Sequence, residues 1–321
     1  MTTTASTAQN QKHTPRVSVL MGVYNAERYV GAAIESILQQ TFADFEYIII
    51  DDGSTDNSLE IIREFAHRDA RIQLHHRENR GIGATRNELL SLARGEFVAT
   101  MDADDIATRE RLDIQVAFLD EHPGHNCVGG NYELIDDEDR HLIMHDRQPL
   151  DDVEVQEQML RGITSINNPT VMMRRSDVVA VGGYDPELAP AEDLDLYLKL
   201  GERGKLANVP QIVLRYRELG TSASATSHSA QLERMRIATE RAWKRRGIDD
   251  GIFEAKPWRA TTPAELHGKW IKYGWWGFVR GDQQHARAYG VKAVKLKPWA
   301  WQGWSLLFAA YFKSPPTKKS T

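Results

Sequence analysis

Between residues 16 and 105 the chain alternates short apolar runs with amphipathic runs of ten or more residues, and three of the apolar runs end on a polar cluster. Residues 16–21 (RVSVLM), 45–50 (FEYIII), 71–75 and 96–101 read as strands. Residues 26–40, 56–67 and 83–93 read as helices; in the first, Tyr29, Ala32, Ala33, Ser36, Ile37 and Gln40 recur at helical spacing. Strands separated by helices of that length need crossover connections, so the pattern predicts an α/β fold with a mostly parallel sheet flanked by helices. A sheet of this kind binds ligands at the carboxyl ends of its strands. Here those ends carry Tyr24-Asn25, Asp51-Asp52 and Asp102-Ala103-Asp104-Asp105.

Beyond residue 105 the pattern loosens. Residues 109–121, 151–160, 192–202 and 230–246 read as helices, 127–135, 171–174 and 212–217 as strands, and the Ser/Ala/Thr run 221–229 as a loop. With 321 residues, 41% apolar and 26% charged, the chain has ample core for one large domain or two ordinary ones. No run approaches the ~18 apolar residues of a membrane span. The polar N-terminus, residues 1–15, is expected to be a disordered tail with no secretory signal. Cys127 is the sole cysteine, so an intramolecular disulfide is impossible and a cytoplasmic location is expected.

Composition divides the chain again near residue 245. All eight Trp lie from Trp243 onward, and residues 243–321 hold 15 Lys+Arg against 5 Asp+Glu, a net +10. The whole-chain charge of −5 leaves −15 for residues 1–242. The expected organisation is a main domain over 16–245 and a basic, Trp-rich helical region over 246–321.

Each polar cluster has a bland reading and a chemical one. Asp102, Asp104 and Asp105 fit a solvated acidic turn. That turn is the favoured reading of the motif alone, but the residue types also suit a hard-oxygen site for Mg²⁺ or Mn²⁺, which take one or two carboxylates plus substrate phosphates. In Asp51-Asp52-Gly53-Ser54-Thr55-Asp56 a helix cap accounts for Asp56 or Ser54. It leaves Asp51 and Asp52 without a structural task, and either could accept the imide N–H of uracil. The Asn79-Arg80-Gly81-Ile82-Gly83-Ala84-Thr85-Arg86-Asn87 segment opens a helix but lacks the third glycine of a dinucleotide fingerprint. Its Arg86 offers a fork for phosphate or base oxygens. Glu192 and Asp193 head a helix, where the dipole favours acids in any case; beside a substrate hydroxyl, either carboxylate would serve as a general base.

The whole set, in order and spacing, resembles inverting family 2 glycosyltransferases of the GT-A fold, of the bacterial polysaccharide or glycolipid type. The strings that carry the resemblance are VSVLMGVYN, ILQQTF, IIIDDGSTD, NRGIGATRN, MDADD, GGYD and AEDLDLYLKL, spread over residues 16–217. The resemblance implies a nucleotide-sugar donor, with a UDP-sugar expected, a divalent cation, and a glycan or lipid-linked acceptor. It places Tyr24 against the nucleobase, Asp52 with Asp51 beside it on the uracil imide, and Arg86 in support of the nucleotide. Asp102 and Asp104 match the family's DxD pair, Asp102 nearer the ribose and Asp104 on the metal. Asp193 falls at the catalytic base, with Glu192 its neighbour, and residues 182–185 on the acceptor side. Many members carry a metal-approaching His after the strand that ends here at Tyr216-Arg217; this chain has Glu218, Leu219 and Gly220 there, with His228 the nearest candidate.

A sugar-phosphate nucleotidyltransferase or a non-catalytic nucleotide-sugar-binding module would share much of this pattern. A dehydrogenase is disfavoured, because the first strand leads into MGVYNA. The basic, aromatic tail is expected to form helices that pack on the main domain, touch an anionic membrane surface, or both; no nucleic-acid partner is expected.

Overall fold

The computed structural model describes residues 13–145, 147–219, 228–255 and 262–315. Most of residues 1–15 and of the 221–229 run, and the side chain of His228, lie outside the described residues. In the first half, β1 (Val17–Val23), β2 (Phe45–Asp51), β3 (Ile72–His76) and β4 (Phe97–Asp102) alternate with α1 (Val30–Leu38), α2 (Ser58–Arg68) and α3 (Ile82–Leu92). The chain continues through β5 (Ile106–Ala107), α4 (Arg111–Glu121), β6 (His125–Ile135), β7 (His141–His145) and α5 (Asp152–Leu160). Then come β8 (Met172–Arg174), α6 (Arg175–Ala180), α7 (Glu192–Gly201), β9 (Lys205–Arg217) and α8 (His228–Arg246). Three helices close it: α9 (Pro263–Val279), α10 (Gln283–Leu296) and α11 (Trp301–Phe312).

Among the described residues the strands form one sheet in the order β3-β2-β1-β4-β8-β6-β9-β5, with β7 on β6. The β3-β2-β1-β4 half is parallel, as the crossover spacing requires. Past β4 the directions mix: β8 runs against both β4 and β6, whereas β6 and β9 pair in parallel. The mostly parallel sheet expected is therefore parallel in its first half and mixed in its second.

Both faces are covered, so the strands read as apolar without a polar alternate. Val17, Val19, Met21, Tyr47 and Ile49 face a layer that includes α1, α2 and α4, while Leu20, Ile48 and Ile50 face the layer of α3, α5, α7 and α8. Helix α1 starts four residues later than the periodicity implies. Asn25 sits in the left-handed region (φ 51°), and the next two amides are taken by side chains of the second loop, Ala26 N–H by Ser58 Oγ (2.8 Å) and Glu27 N–H by Asp56 Oδ2 (3.0 Å).

The last three helices pack on one another through small residues. A side chain at Gly303 of α11 would meet Val294 of α10 at 2.8 Å, and one at Gly274 of α9 would meet Leu306 at 2.3 Å. The bundle is fastened to the sheet domain by buried Tyr273 and Tyr289, which join the sheet's own core. Their hydroxyls donate to Glu218 (2.7 Å) and Asp136 (3.2 Å). No helix among the described residues is long and apolar enough to cross a membrane.

Candidate active site

Register brings the polar strand ends level. Val23 of β1 lies opposite Asp51 of β2, Gly22 opposite Asp102 of β4, and Asp51 opposite His76 of β3. One row thus runs His76, Asp51, the end of β1 and Asp102. The loop after β1 is pinned to the loop after β2: Asn25 Oδ1 accepts from Thr55 N–H (2.7 Å), and Asn25 N–H donates to Ser54 Oγ (3.0 Å). Tyr24, between them, is exposed at the rim.

The two aspartates of β2 differ in what they do. Asp51 is fully buried; its Oδ2 accepts from His76 Nδ1 (2.9 Å) and Ser54 N–H (3.2 Å), and its Oδ1 has no partner among the described residues. Asp52 turns out to have the structural task that capping arguments deny it. Its carboxylate accepts from Arg77 Nη1 and from the main-chain amides of Arg80 (2.9 Å) and Gly81 (3.0 Å). It therefore shapes the turn into α3, where Gly81 holds φ at 84°. One acceptor position remains on Asp52 for a ligand.

Arg86 projects from the first turns of α3 to Glu192 at the head of α7, forming an ion pair between groups 106 residues apart in sequence. Glu192 is buried, and its second carboxylate oxygen is unpartnered among the described residues. Burial opposes the charge on Arg86, but Glu192, Asp102 and Asp193 around it outweigh that effect and hold it cationic. The same environment acts on the acids. Burial lifts Asp102 above the usual carboxylate range, with Arg86 pulling it back. Asp193 is pushed up to about 6, by burial first and then by Glu192. Asp193 makes no ion pair among the described residues. Its Oδ1 accepts the adjacent Leu194 amide (2.8 Å).

The Asp102-Ala103-Asp104-Asp105 turn is clamped by Arg217, the last residue of β9. Its N–H donates to Asp105 Oδ1 (2.7 Å), its Nε to the Asp104 carbonyl (2.7 Å) and its Nη1 to the Asp136 carbonyl (2.8 Å), over the ring of Tyr29. Asp105 is buried, and burial with its acidic neighbours raises it well above the ordinary range. Asp104 remains half-buried on the turn. Beneath, fully buried Arg111 donates to the Thr100 carbonyl (2.8 Å); burial lowers its own pKa to about 10, with Asp105 opposing.

The structure thus brings Arg86, Asp102, Glu192 and Asp193 into one electrostatic group, with Asp51 and Asp52 in the adjoining row and Tyr24 at the rim. It also adds residues that motif reading passes over. Arg217 is one. Asn168 is another: it lines a small cavity with Gly22, Arg86, Asp102 and Tyr184, and its Nδ2 is buried without a partner among the described residues. Its Oδ1 accepts from Tyr197 OH (2.9 Å), which aims the amide. The signal in the sequence was only an Asn-Asn-Pro turn. Tyr184 is brought there by Gly182 and Gly183, both with positive φ (85° and 69°), and by two main-chain hydrogen bonds with the Asn87 side chain, whose Nδ2 donates to the Tyr184 carbonyl (2.8 Å) and whose Oδ1 accepts from the Tyr184 N–H (3.0 Å). Glu218, at the position where the resemblance anticipates a His, is tied to Lys269 and Tyr273 of α9.

For a hard cation the donor set fits. Asp102 and Asp104 supply carboxylate oxygens, and no three His, Cys, Asp or Glu side chains converge among the described residues.

Comparisons with known proteins identify the family and the fold. Bacillus subtilis EpsE is 33% identical over 266 residues, covering 80% of this chain and 94% of that protein. The glycosyltransferase GlyG of Streptococcus pneumoniae is 37% identical over 124 residues, 38% of this chain and 41% of GlyG. Staphylococcus aureus TarS 1–349, solved with UDP-GlcNAc, superposes with a TM-score of 0.60 at 18% identity, covering 92% of this chain and 89% of that one. The mannosyltransferase PcManGT of Pyrobaculum calidifontis, solved with GDP-Man and Mn²⁺, gives 0.54 at 20% identity, covering 94% and 87%. These two show the GT-A fold. Residues 18–182, from β1 through the clusters at the ends of β2 and β4 to the glycine turn before Tyr184, match the family described as Glycosyl transferase family 2. The chain belongs to that family and is a glycosyltransferase.

Proposed function

We propose that this glycosyltransferase moves a sugar from a nucleotide-sugar donor, a UDP-sugar in the first instance, to a hydroxyl of a glycan or lipid-linked acceptor with inversion, assisted by Mg²⁺ or Mn²⁺. The observation that carries the reading is Asp193: half-buried, free of an ion pair among the described residues, and pushed up to about 6 beside the Arg86–Glu192 pair. A base poised near neutrality suits removal of a proton from a sugar hydroxyl. The donors held by TarS and PcManGT, and the Mn²⁺ of the latter, support the donor class and the ion. The unpartnered Oδ1 of Asp51 and the remaining acceptor position of Asp52 support uracil as the base.

Asp104, with Asp102, would hold the ion, which supplies positive charge to the diphosphate leaving group. Asp193 takes the acceptor's proton as the hydroxyl oxygen attacks the anomeric carbon from the side opposite the diphosphate. The bond from that carbon to the phosphate oxygen breaks, and its electron pair leaves with the nucleoside diphosphate. Glu192 holds Arg86 in place, and Arg86 keeps a positive charge beside the donor cavity. One displacement inverts the anomeric centre.

A panel of nucleotide sugars, assayed for nucleoside-diphosphate release with Mg²⁺ or Mn²⁺, tests this reading. Release of UDP from a UDP-sugar, lost in excess chelator, and a β-linked product from an α-linked donor by NMR are expected. Full turnover in chelator removes the ion, a retained configuration removes the single displacement, and pyrophosphate release would indicate nucleotidyl transfer instead.

A further inference from the structure

The eight tryptophans do not share one fate. The Trp243 indole donates to the Leu160 carbonyl (2.8 Å), Trp270 packs on the sheet core, and Trp275 packs within the C-terminal bundle. Trp299, Trp301 and Trp304 face outward, and with Phe308, Tyr311 and Phe312 they make six aromatic side chains that are 55–83% exposed.

Their spacing makes a surface. On α11, Trp301, Trp304, Phe308, Tyr311 and Phe312 fall at i, i+3, i+7, i+10 and i+11, one stripe of a helix with 3.6 residues per turn. Gly303, Leu306, Ala309 and Ala310, on the opposite side, are buried against the bundle. The helix carries no charged residue. The bundle is thus already satisfied on its inner side, and the stripe is surplus to folding. Trp304 donates its indole N–H to the Pro298 carbonyl (2.7 Å), so that ring needs no water for its polar atom.

Charge selects the occupant. From Gln283 to Thr321 there is no Asp or Glu, and there are seven basic residues, Arg287, Lys292, Lys295, Lys297, Lys313, Lys318 and Lys319. Lys295, near the end of α10, and Lys313, directly after α11, are exposed. A second copy seated on this face would bring two carboxylate-free basic segments together. An anionic lipid surface would not. We infer that α11, with Trp299, lies in the headgroup region of an anionic bilayer, parallel to its plane, with the aromatic stripe inserted and the flanking lysines on lipid phosphates. At 12 residues the helix is about 18 Å long, too short to span the ~30 Å hydrocarbon core but suited to lying about 5–10 Å deep at its edge. The inference rests on this surface alone and stands apart from the identity of donor and acceptor.

Co-sedimentation of the full chain with phosphatidylcholine vesicles, with and without phosphatidylglycerol, tests it. Binding to the anionic vesicles at low salt is expected, weakening at least about tenfold at high salt as the Debye length shortens. Trp301→Ser, Phe308→Ser and Phe312→Ser together should weaken partition at least about tenfold, with circular dichroism unchanged. Each lysine near the surface contributes about fivefold, so Lys295→Glu with Lys313→Glu, which leaves the aromatics intact, should weaken it at least as much. Folded protein that stays in the supernatant at low salt would overturn the inference, as would a triple variant that binds like the parent. So would a dimer in light scattering that the triple variant splits.

Discussion

The sheet domain and the C-terminal bundle bury and expose opposite things. In the first, charged groups lie inside: Arg111, Asp52, Glu192 and Arg217 are all buried, each with a partner that fixes it. In the bundle, among the described residues, α9 to α11 bury no Lys, Arg, Asp or Glu; their buried histidines, His267 and His285, are both held below the usual range chiefly by burial, and six large aromatics of the region stand in water. Burying a charge costs several kcal/mol unless geometry repays it, and it occurs here where strand ends converge on a cleft. A contiguous exposed aromatic stripe marks an interaction surface. On the two proposals made above, each anomaly marks a place where the fold is completed by something outside the chain: a phosphorylated small molecule in one region, a surface in the other.

Five substitutions would break or sharpen that contrast. The largest effect belongs to Asp193→Asn, which should lower kcat by about 10²–10⁴ while leaving nucleotide affinity nearly unchanged; steady-state kinetics with a nucleotide titration checks both. Next, Glu192→Gln strands the Arg86 guanidinium and should cost about 3–5 kcal/mol of stability by denaturant unfolding; a loss below 1 kcal/mol would mean that the buried pair is not the joint between α3 and α7. Arg217→Lys keeps the charge but loses the fork that ties the Asp104 carbonyl to the Asp136 carbonyl, so metal-dependent nucleotide affinity by calorimetry should fall about 10–100-fold. Smallest of all is Phe308→Ser on the outer face of α11, expected within about 0.5 kcal/mol of the parent. Leu306→Ala, two residues away on the buried face, should cost about 2–5 kcal/mol by the same thermal or denaturant melt.

The four parallel strands and the helices between them were legible because their apolar runs are local and both faces of the sheet are covered. Strand ends fall within two residues of the sequence reading. Less local features were not. Strand β9 begins at Lys205, seven residues before its apolar stretch, because Pro210 and its polar neighbours interrupt the pattern while pairing with β6 continues on both sides. Strand β5 is two residues long and exists only through β9, and β7 only through β6. The same holds at the site. Asp51, Asp102, Asp104 and Asp193 stand in recognisable strings, but the Arg86–Glu192 pair, the Arg217 clamp and the unpartnered Asn168 amide are made by residues far apart in sequence. In the tail, composition gave basic charge and tryptophan. Only the packing of Gly303 and Leu306 inward decided which aromatics face out.

The central claim is that Asp193 is the base of an inverting transfer, and the pH dependence of kcat tests it most directly. Burial and Glu192 raise its pKa from the ordinary 3.8 to about 6. The carboxylate is the active form, so protonation on the acid side removes it. The account predicts that kcat of the native enzyme is level above about pH 7 and falls about tenfold per unit below pH 6, and that Asp193→Asn abolishes this limb along with most of the rate. An unchanged acid limb in Asp193→Asn, with turnover within a few-fold of the native enzyme, would contradict it.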